Sequence, residues 1–183
     1  ATTSQNRMDR ATLRATDVRQ REIEEYFFTR GYYYERRKNH HKNTGVARDK
    51  LIEVMDVAQA MGAIYLCEPH TSRGRPSTLV HEPQYSRIFN SKIQLEVYLN
   101  SVLIVRRIDN YLAESRHEFD RQHRGNMRFQ LARTAVAFAL KTSKPRPHEL
   151  LYLDVENFTD DRLDPIYEWT LKLRKATEGA VRN

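Results

Sequence analysis

The chain has 183 residues, of which 31 are Lys or Arg and 24 are Asp or Glu, so its formal net charge is +7. Its single cysteine excludes an intrachain disulfide and a cysteine zinc cluster. Its longest apolar run, around residues 97–105, is far shorter than the roughly 20 residues of a membrane-spanning helix. The totals are typical of a folded domain with a core, and the basic surplus favours polyanionic partners.

The first predicted elements follow an irregular lead-in over residues 1–16. Asp17 predicts the N-cap of a helix, because its carboxylate can accept from free backbone N–H groups, and Gln20 stands where a capping box has Glu or Gln. Gly31 predicts the end of this helix, and the aromatic residues after it predict a short strand at 32–37. A lone strand leaves its backbone groups unpaired, so we expect it to pair with the lead-in or with a part of the protein outside this sequence.

The remaining elements are predicted to be helices joined by polar loops. Apolar stripes and cap residues predict helices at 49–66, near 84–89, at 91–120, from Asn126, at 148–158 and from Asp164. Residues 68–78 predict a loop, and Trp169 is expected to anchor the last helix. The predicted fold class is therefore mainly α, a single domain over residues 17–183 with six to seven helices and one short β element near 32–37.

Several motifs occur in an order that is found in a known protein family. They are the N-terminal TTSQNRMDRATLRATDVRQREIEEYF, then GYYYERRK, then VAQAMGAIYLCEP, RGRPSTL and YSRIF. Over roughly residues 2–112 the chain thus resembles the AIPR family, named for abortive-infection phage resistance in bacteria. Members are usually much longer, so we expect a C-terminal fragment. The resemblance implies a role in antiviral defence and implies no reaction, cofactor or catalytic residue.

The segment GYYYERRKNHHKN, residues 31–43, combines tyrosines, cations and histidines. In a strand Tyr32 and Tyr34 share one face and Tyr33 takes the other, so at least one tyrosine is expected in the core. The cations after the strand indicate either a solvated basic loop or a nucleic-acid contact. On the second hypothesis the binding residues are Arg36, Arg37, Lys38 and Lys42.

A second basic segment, RGRP, contains Arg73 and Arg75. Arginines around glycine and proline can insert into a narrow minor groove from an extended arm. Here the flanks are serines, and an ordinary turn explains the same residues. Arg73 and Arg75 are nevertheless candidate nucleic-acid-binding residues.

Candidates for catalysis are few. Glu35 and Lys38 are three apart and so point to opposite faces of a regular strand. A metal nuclease also needs a carboxylate cluster, for which the fold would have to bring Asp49 or Glu24 close to Glu35. We therefore expect no metal and no cofactor. Helical RNases of abortive infection often pair an arginine with a histidine five to seven residues later, and of three such pairs only Arg116 and His123 lie near a predicted helix end.

Three functional hypotheses remain open. The first is a noncatalytic helical module that binds nucleic acid, or docks to the rest of its chain, through the loop near Arg36 to Lys42. The second is a ribonuclease that uses Arg116 and His123, and the third is a protein-interaction or scaffold domain. The expected partners are nucleic acid and the N-terminal part of the same protein or a second copy; no membrane is expected, and the expected location is the cytoplasm.

Overall fold

A computed structural model describes residues 17–37, 39–41, 43–114, 116–117 and 121–182, with the backbone alone for residues 121–124, 126 and 178–182. Within these residues the fold is mainly helical with one parallel two-stranded sheet, which confirms the predicted fold class. The helices are α1 Val18–Thr29, α2 Val54–Ile64, α3 Pro69–Gly74, α4 Gln84–Ile88, α5 Leu95–Leu112, α6 Arg121–Leu140, α7 Pro147–Leu150 and α8 Asp160–Arg182. The strands are β1 Tyr33–Glu35 and β2 Leu51–Glu53, and 3₁₀ turns cover Arg48–Lys50, Pro76–Val80 and Val155–Asn157.

Helix α1 begins and ends where the sequence predicts. Asp17 Oδ1 accepts a hydrogen bond from the backbone N–H of Arg19 at 2.8 Å. Gly31 follows the helix with φ +85°, a left-handed conformation that glycine adopts without steric cost. The predicted capping-box role of Gln20 is wrong, because this side chain is fully buried and bonds to two tyrosines.

The partner of the predicted strand is β2, so the prediction of a partner outside this sequence is wrong. Pairing with the lead-in was the other prediction, and residues 1–16 lie outside the described residues. The two strands are parallel, with Tyr34 opposite Ile52 and Glu35 opposite Glu53. Residues of β2 were predicted as the start of a helix. The helix starts later because Glu53 and Asp56 form a capping box, in which the Glu53 N–H donates to Asp56 Oδ2 at 2.9 Å.

Helix α2 is the central helix of the fold. Seven of its eleven residues are buried, and it packs against α3, α5 and α6. The predicted loop at 68–78 instead forms α3 and the following 3₁₀ turn, and Pro69 is at the first turn of α3, where its missing N–H costs nothing. Sequence composition predicted a loop in place of this helix because glycine and proline favour loops.

The approach of α3 to α2 depends on Gly62. A Cβ added to Gly62 would lie 2.6 Å from Ser72 Oγ and 2.8 Å from Leu79 Cδ1. Both neighbours are buried, and Ser72 Oγ also donates to the Gln59 carbonyl at 2.7 Å. Only a residue without a side chain fits this contact.

The last third of the chain differs from the prediction in several places. Helix α5 ends at Leu112 and α6 runs through Gly125 and residue 126, where a break was predicted. Packing outweighs the roughly 1 kcal/mol that an interior glycine costs a helix, since Met127, Leu131 and Ala135 of α6 are buried. Of the predicted helix at 148–158, only α7 and a 3₁₀ turn are present.

Helix α8 starts before the predicted Asp164. Thr159 accepts from the backbone N–H of Arg162, through its carbonyl at 3.1 Å and its hydroxyl at 3.4 Å, and two aspartates occupy the first turn, where they complement the helix dipole. Pro165 is therefore inside the helix. Trp169, which was expected to anchor the last helix, is 49% exposed, whereas Leu163 and Tyr167 of this helix are buried. None of the helices in the described part of the chain is long and apolar enough to cross a membrane.

Candidate nucleic-acid interface

Strand β1 presents one tyrosine to the core and one to solvent. Tyr34 is buried, as predicted for at least one tyrosine, and its hydroxyl donates to the side-chain carbonyl of Gln20. Gln20 Nε2 in turn donates to the Tyr85 hydroxyl at 3.1 Å, and that hydroxyl donates to Asp17 Oδ2 at 3.1 Å. Burial raises the pKa of Tyr34 well above its ordinary value, so the hydroxyl stays a donor. This network fixes β1 against α1.

On the opposite face of β1, four aromatic rings form a row, which we call the aromatic row: Phe28, Tyr33, His41 and His40. Phe28, Tyr33 and His40 are exposed, and His41 is half-buried. Phe28 is 66% exposed and Tyr33 is 37% exposed. Ring centroids are 5.9 Å apart for Phe28 and Tyr33 and 5.6 Å apart for Tyr33 and His41. The two histidine rings are stacked at 4.5 Å with an interplanar angle of 7°.

The loop after β1 brings the histidines onto Tyr33. The backbone N–H of His41 donates to Glu35 Oε1 at 3.2 Å, which turns the chain back towards the strand. Asn39 and Asn43 both have positive φ, near +63° and +65°, a conformation that asparagine adopts more readily than most residues. The polar residues of the segment are therefore what folds it into a turn.

The predicted basic residues near β1 differ in their surroundings. Arg37 is exposed next to the aromatic row. The guanidinium of Arg36 is 13% exposed and its Nε donates to Glu24 Oε2 at 2.9 Å, so it joins β1 to α1. Lys38 and Lys42 lie outside the described residues. The other cations here were missed by the prediction: Arg48 is exposed, and Lys50 Nζ lies 4.8 Å from the centre of the Tyr32 ring.

Arg73 and Arg75 belong to a different part of the fold. Both are exposed, one in α3 and one at the turn after it. Arg73 lies against α6, where a Cβ added to Gly125 would be 3.5 Å from Arg73 Nε. Arg75 lies between α3 and the following 3₁₀ turn, and nucleic-acid binding by Arg73 and Arg75 stays a prediction.

Glu53 lies opposite Glu35 in the sheet register. Burial and the nearby carboxylates of Asp56 and Glu35 raise the pKa of Glu53. Sequence spacing could not find this pair, since 17 residues separate the two positions. Among the described residues, no group of three His, Cys, Asp or Glu side chains could hold a metal ion.

Arg116, one of the two catalytic candidates, is bound by acids. Its Nε lies 2.7 Å from Glu114 Oε2, and its Nη atoms lie 2.9 Å from Asp164 Oδ1 and 3.4 Å from Asp160 Oδ2. The Tyr111 hydroxyl also donates to Asp164 Oδ1 at 2.6 Å. The hydrogen bonds from Tyr111 and Arg116 both lower the pKa of Asp164, and the bond from Tyr111 has the larger effect. The side chain of His123, the other candidate, lies outside what is described.

His117, which was not a candidate, lies beside Arg116 at the edge of a cleft. The cleft has a volume of about 500 Å³ and is lined by Tyr111, Arg116, His117, Asp164, Tyr167, Glu168, Leu171, Lys172 and Lys175. The His117 ring packs 4.1 Å from the Tyr111 ring and 4.7 Å from the Tyr167 ring. Its Nε2 is buried without a hydrogen-bond partner among the described residues. The sequence carries no signal for this, because the cleft joins α5, the loop after it and α8.

His117 should make stability depend on pH. Burial, followed by the charge of Arg116, lowers the pKa of His117 below its ordinary value of 6.5. As pH falls through that value, the unfolded chain takes up a proton that the folded protein resists, so the free energy of unfolding should decrease. Urea unfolding at about pH 7.5 and about pH 5.5 measures this difference. The variant His117→Phe keeps the ring and cannot titrate, so its loss over this range should be smaller; an equal loss would contradict the assignment.

Comparison with known proteins places the chain in a family. The family model described as AIPR protein matches residues 1–170, beyond the 2–112 over which the resemblance was visible. No curated protein and no solved structure matched the chain. The match covers α1 to α7 and the first half of α8, including both the aromatic row and much of the cleft. The chain therefore belongs to the AIPR family.

Proposed function

We propose that this chain is a noncatalytic helical module of a bacterial phage-resistance protein, and that it binds single-stranded nucleic acid on the aromatic row. Membership in the AIPR family supports a role in abortive infection. The observation that carries the binding proposal is the row itself. Its four rings contact one another in turn, and three of them belong to the most basic segment of the chain or border it.

Exposed rings favour unpaired bases over a duplex. Bases in a duplex are already stacked on one another, whereas unpaired bases gain about 1–3 kcal/mol each by stacking on an aromatic side chain. Phe28 and Tyr33 are exposed although such large rings normally contribute to a core. The row therefore offers stacking surfaces that the fold itself does not use.

Cations beside the rings can contact the phosphates of the same strand. Arg37, Arg48 and Lys50 are all exposed on the segment that joins β1 to β2, and Lys38 and Lys42 belong to the same segment of sequence. Each phosphate contact adds to a binding constant that falls as salt rises. Rings that take bases and cations that take phosphates form the usual combination in proteins that bind single strands without strict sequence preference.

The proposal is tested by fluorescence anisotropy with labelled single-stranded RNA, single-stranded DNA and duplex DNA at several salt concentrations. We expect both single strands to bind more tightly than the duplex. The double variant Phe28→Ala/Tyr33→Ala should lose at least about tenfold in affinity, because it removes two stacking surfaces. Arg37→Ala should weaken binding less and reduce the salt slope by about one.

Matched controls separate the row from general effects of surface change. Tyr152 is 81% exposed on another part of the chain, so Tyr152→Ala should leave affinity unchanged. Arg87→Ala is the control for Arg37→Ala, since Arg87 is exposed in α4. Helix α4 contacts the Asp17 end of α1, which is the end away from Phe28. Arg36 is left out of the binding variants because its contact with Glu24 supports the fold.

Unchanged affinity in the Phe28→Ala/Tyr33→Ala variant would overturn the proposal. Absence of binding near physiological salt would do so as well, and would favour docking to the rest of the chain through the same surface. The same samples run on a gel show whether the probe is cut. Intact probe is expected for a binding module, and cleavage that His123→Ala abolishes would favour the ribonuclease hypothesis.

A further inference from the structure

Helix α8 has apolar residues on two opposite faces. Leu163 and Tyr167 are buried on its inner side, where the helix packs against α6. On its outer side a second set of residues recurs at spacings of four, four and three and forms a stripe, which we call the outer stripe: Pro165, Trp169, Leu173 and Ala176. All four are exposed. Packing on one side of a helix requires only one apolar face, so the fold does not use the outer stripe.

Trp169 and Leu173 are the two large side chains of the outer stripe. Trp169 is 49% exposed and Leu173 is 44% exposed, and because they are one helical turn apart their side chains are neighbours. Single exposed apolar side chains are common on proteins, whereas contiguous ones mark surfaces that contact another molecule. Tryptophan is also among the residues that contribute most to the free energy of binding at protein interfaces. The two side chains therefore indicate a docking surface.

One edge of the outer stripe carries an acid and a base. Glu168 precedes Trp169 and Lys172 precedes Leu173, so the two charges are one turn apart, like the apolar residues beside them. Both charged side chains are exposed, and neither forms an ion pair within the described part of the chain. A partner that fits this edge must therefore present a base opposite Glu168 and an acid opposite Lys172.

A second copy of the chain meets this requirement by symmetry. When two copies of α8 run antiparallel about a twofold axis, residues at equal distances on either side of the axis face each other. An axis level with residues 170 and 171 places Glu168 of one copy opposite Lys172 of the other, and Trp169 opposite Leu173. The contact is then apolar along its middle and has two ion pairs along one edge. A parallel pair in register would instead bring like charges together, which is unfavourable.

We propose that the outer stripe is the dimer interface of this chain, formed by two antiparallel copies of α8. A single pair of helix faces buries less surface than a standard interface of about 1,600 Å², so we expect a weak dimer with a Kd in the micromolar range. The interface belongs to α8, whereas the aromatic row comes from α1, β1 and the loop after β1. The proposal therefore does not rest on nucleic-acid binding by the row.

Sedimentation equilibrium of the whole chain from about 5 to about 500 µM tests the proposal, combined with tryptophan fluorescence of the same samples. The mass should rise from 21.7 kDa at low concentration towards twice that value. Trp169 is the single tryptophan of the chain, so its emission reports on the proposed interface itself. The emission maximum should shift to shorter wavelength in step with the mass, because the indole ring leaves water when the copies associate.

The first variant removes the apolar middle of the contact. Trp169→Ala/Leu173→Ala should raise the Kd of the dimer at least about tenfold, because both large side chains of the interface are lost. Both are exposed in the single chain, so the monomer should stay folded, which circular dichroism checks. The matched control Tyr152→Ala changes an aromatic residue that is 81% exposed outside α8 and should leave the Kd unchanged.

Charge variants test the antiparallel arrangement. Glu168→Lys places two lysines opposite each other at both ends of the charged edge, so the Kd should rise at least about threefold, and Lys172→Glu should act in the same way with two acids. Glu168→Lys/Lys172→Glu restores opposite charges in both pairs and should return the Kd to within about twofold of the parent. The control Glu156→Lys changes an exposed acid outside α8 and should leave the Kd unchanged.

A mass that stays at 21.7 kDa up to about 500 µM would overturn the dimer and would favour contact of the outer stripe with another protein surface. A dimer that forms without a change in Trp169 emission would place the interface elsewhere and overturn the proposal too. So would an equal Kd in the parent, the apolar variant and the two single charge variants. Phe28→Ala/Tyr33→Ala should still dimerise, and Trp169→Ala/Leu173→Ala should still bind single-stranded probes, so this proposal and the aromatic row can fail independently.

Discussion

Replacing Gly62 by alanine should lower the free energy of unfolding by about 1–3 kcal/mol, the range for overpacking a close-packed core. The new Cβ would lie 2.6 Å from Ser72 Oγ and 2.8 Å from Leu79 Cδ1. Neither neighbour can move into solvent, since both are buried. Displacing Ser72 would also break its bond to the Gln59 carbonyl, so α3 must move away from α2 or the core must rearrange. Urea unfolding followed by circular dichroism measures the change.

Gly74→Ala is the matched control for Gly62→Ala. Gly74 is the last residue of α3 and is exposed, and a Cβ added there meets nothing within 4 Å. Alanine should therefore be tolerated within about 0.5 kcal/mol. If both variants were equally stable, the close approach of α2 and α3 would not be a constraint on this fold.

Replacing Gln20 by methionine should lower the free energy of unfolding by about 1–3 kcal/mol, the cost of leaving a buried polar group unpaired. Methionine fills a similar volume without the amide. The Tyr34 hydroxyl would lose its acceptor in a buried site, whereas the Tyr85 hydroxyl would still donate to Asp17. The loss should thus come mainly from Tyr34, and it would loosen β1 from α1.

A double-mutant cycle identifies that origin. Tyr34→Phe alone leaves the Gln20 carbonyl unpaired, but in Gln20→Met/Tyr34→Phe neither orphaned group remains. The double variant should therefore lose less stability than the sum of the two single variants. Tyr152→Phe removes a hydroxyl from a side chain that is 81% exposed and should change stability by no more than about 0.5 kcal/mol. Strict additivity in the cycle would contradict the hydrogen bond between Gln20 and Tyr34.

Local signals in the sequence were enough to predict the elements whose boundaries depend on neighbouring residues. Asp17 and Gly31 bound α1 because a cap and a left-handed glycine act within one turn. The alternation of β1 placed a tyrosine in the core for the same reason. The elements that were predicted wrongly depend on contacts between residues that are distant in sequence. Strand β2 is stabilised by pairing with β1, and α6 continues through Gly125 because its apolar residues pack on other helices.

The candidate sites divide in the same way. The segment GYYYERRKNHHKN was recognised by its composition, and the structure adds the aromatic row, which depends on a turn that brings His41 onto Tyr33. Sequence could not distinguish Arg36 from Arg37, because the partner Glu24 lies twelve residues away on α1. It could not find the cleft at all, since Tyr111 and Asp164 are 53 residues apart.

The short sheet has a consequence for how this surface can change during evolution. Strands β1 and β2 hold both ends of the connecting segment 36–50, and its middle, around Gly45, is exposed. Doubling the length of a flexible loop adds only about 0.6 kcal/mol to the cost of closing it. Insertions next to Gly45 should therefore be among the least costly changes in the chain. Related proteins can vary in length there without repacking the helices beneath the sheet.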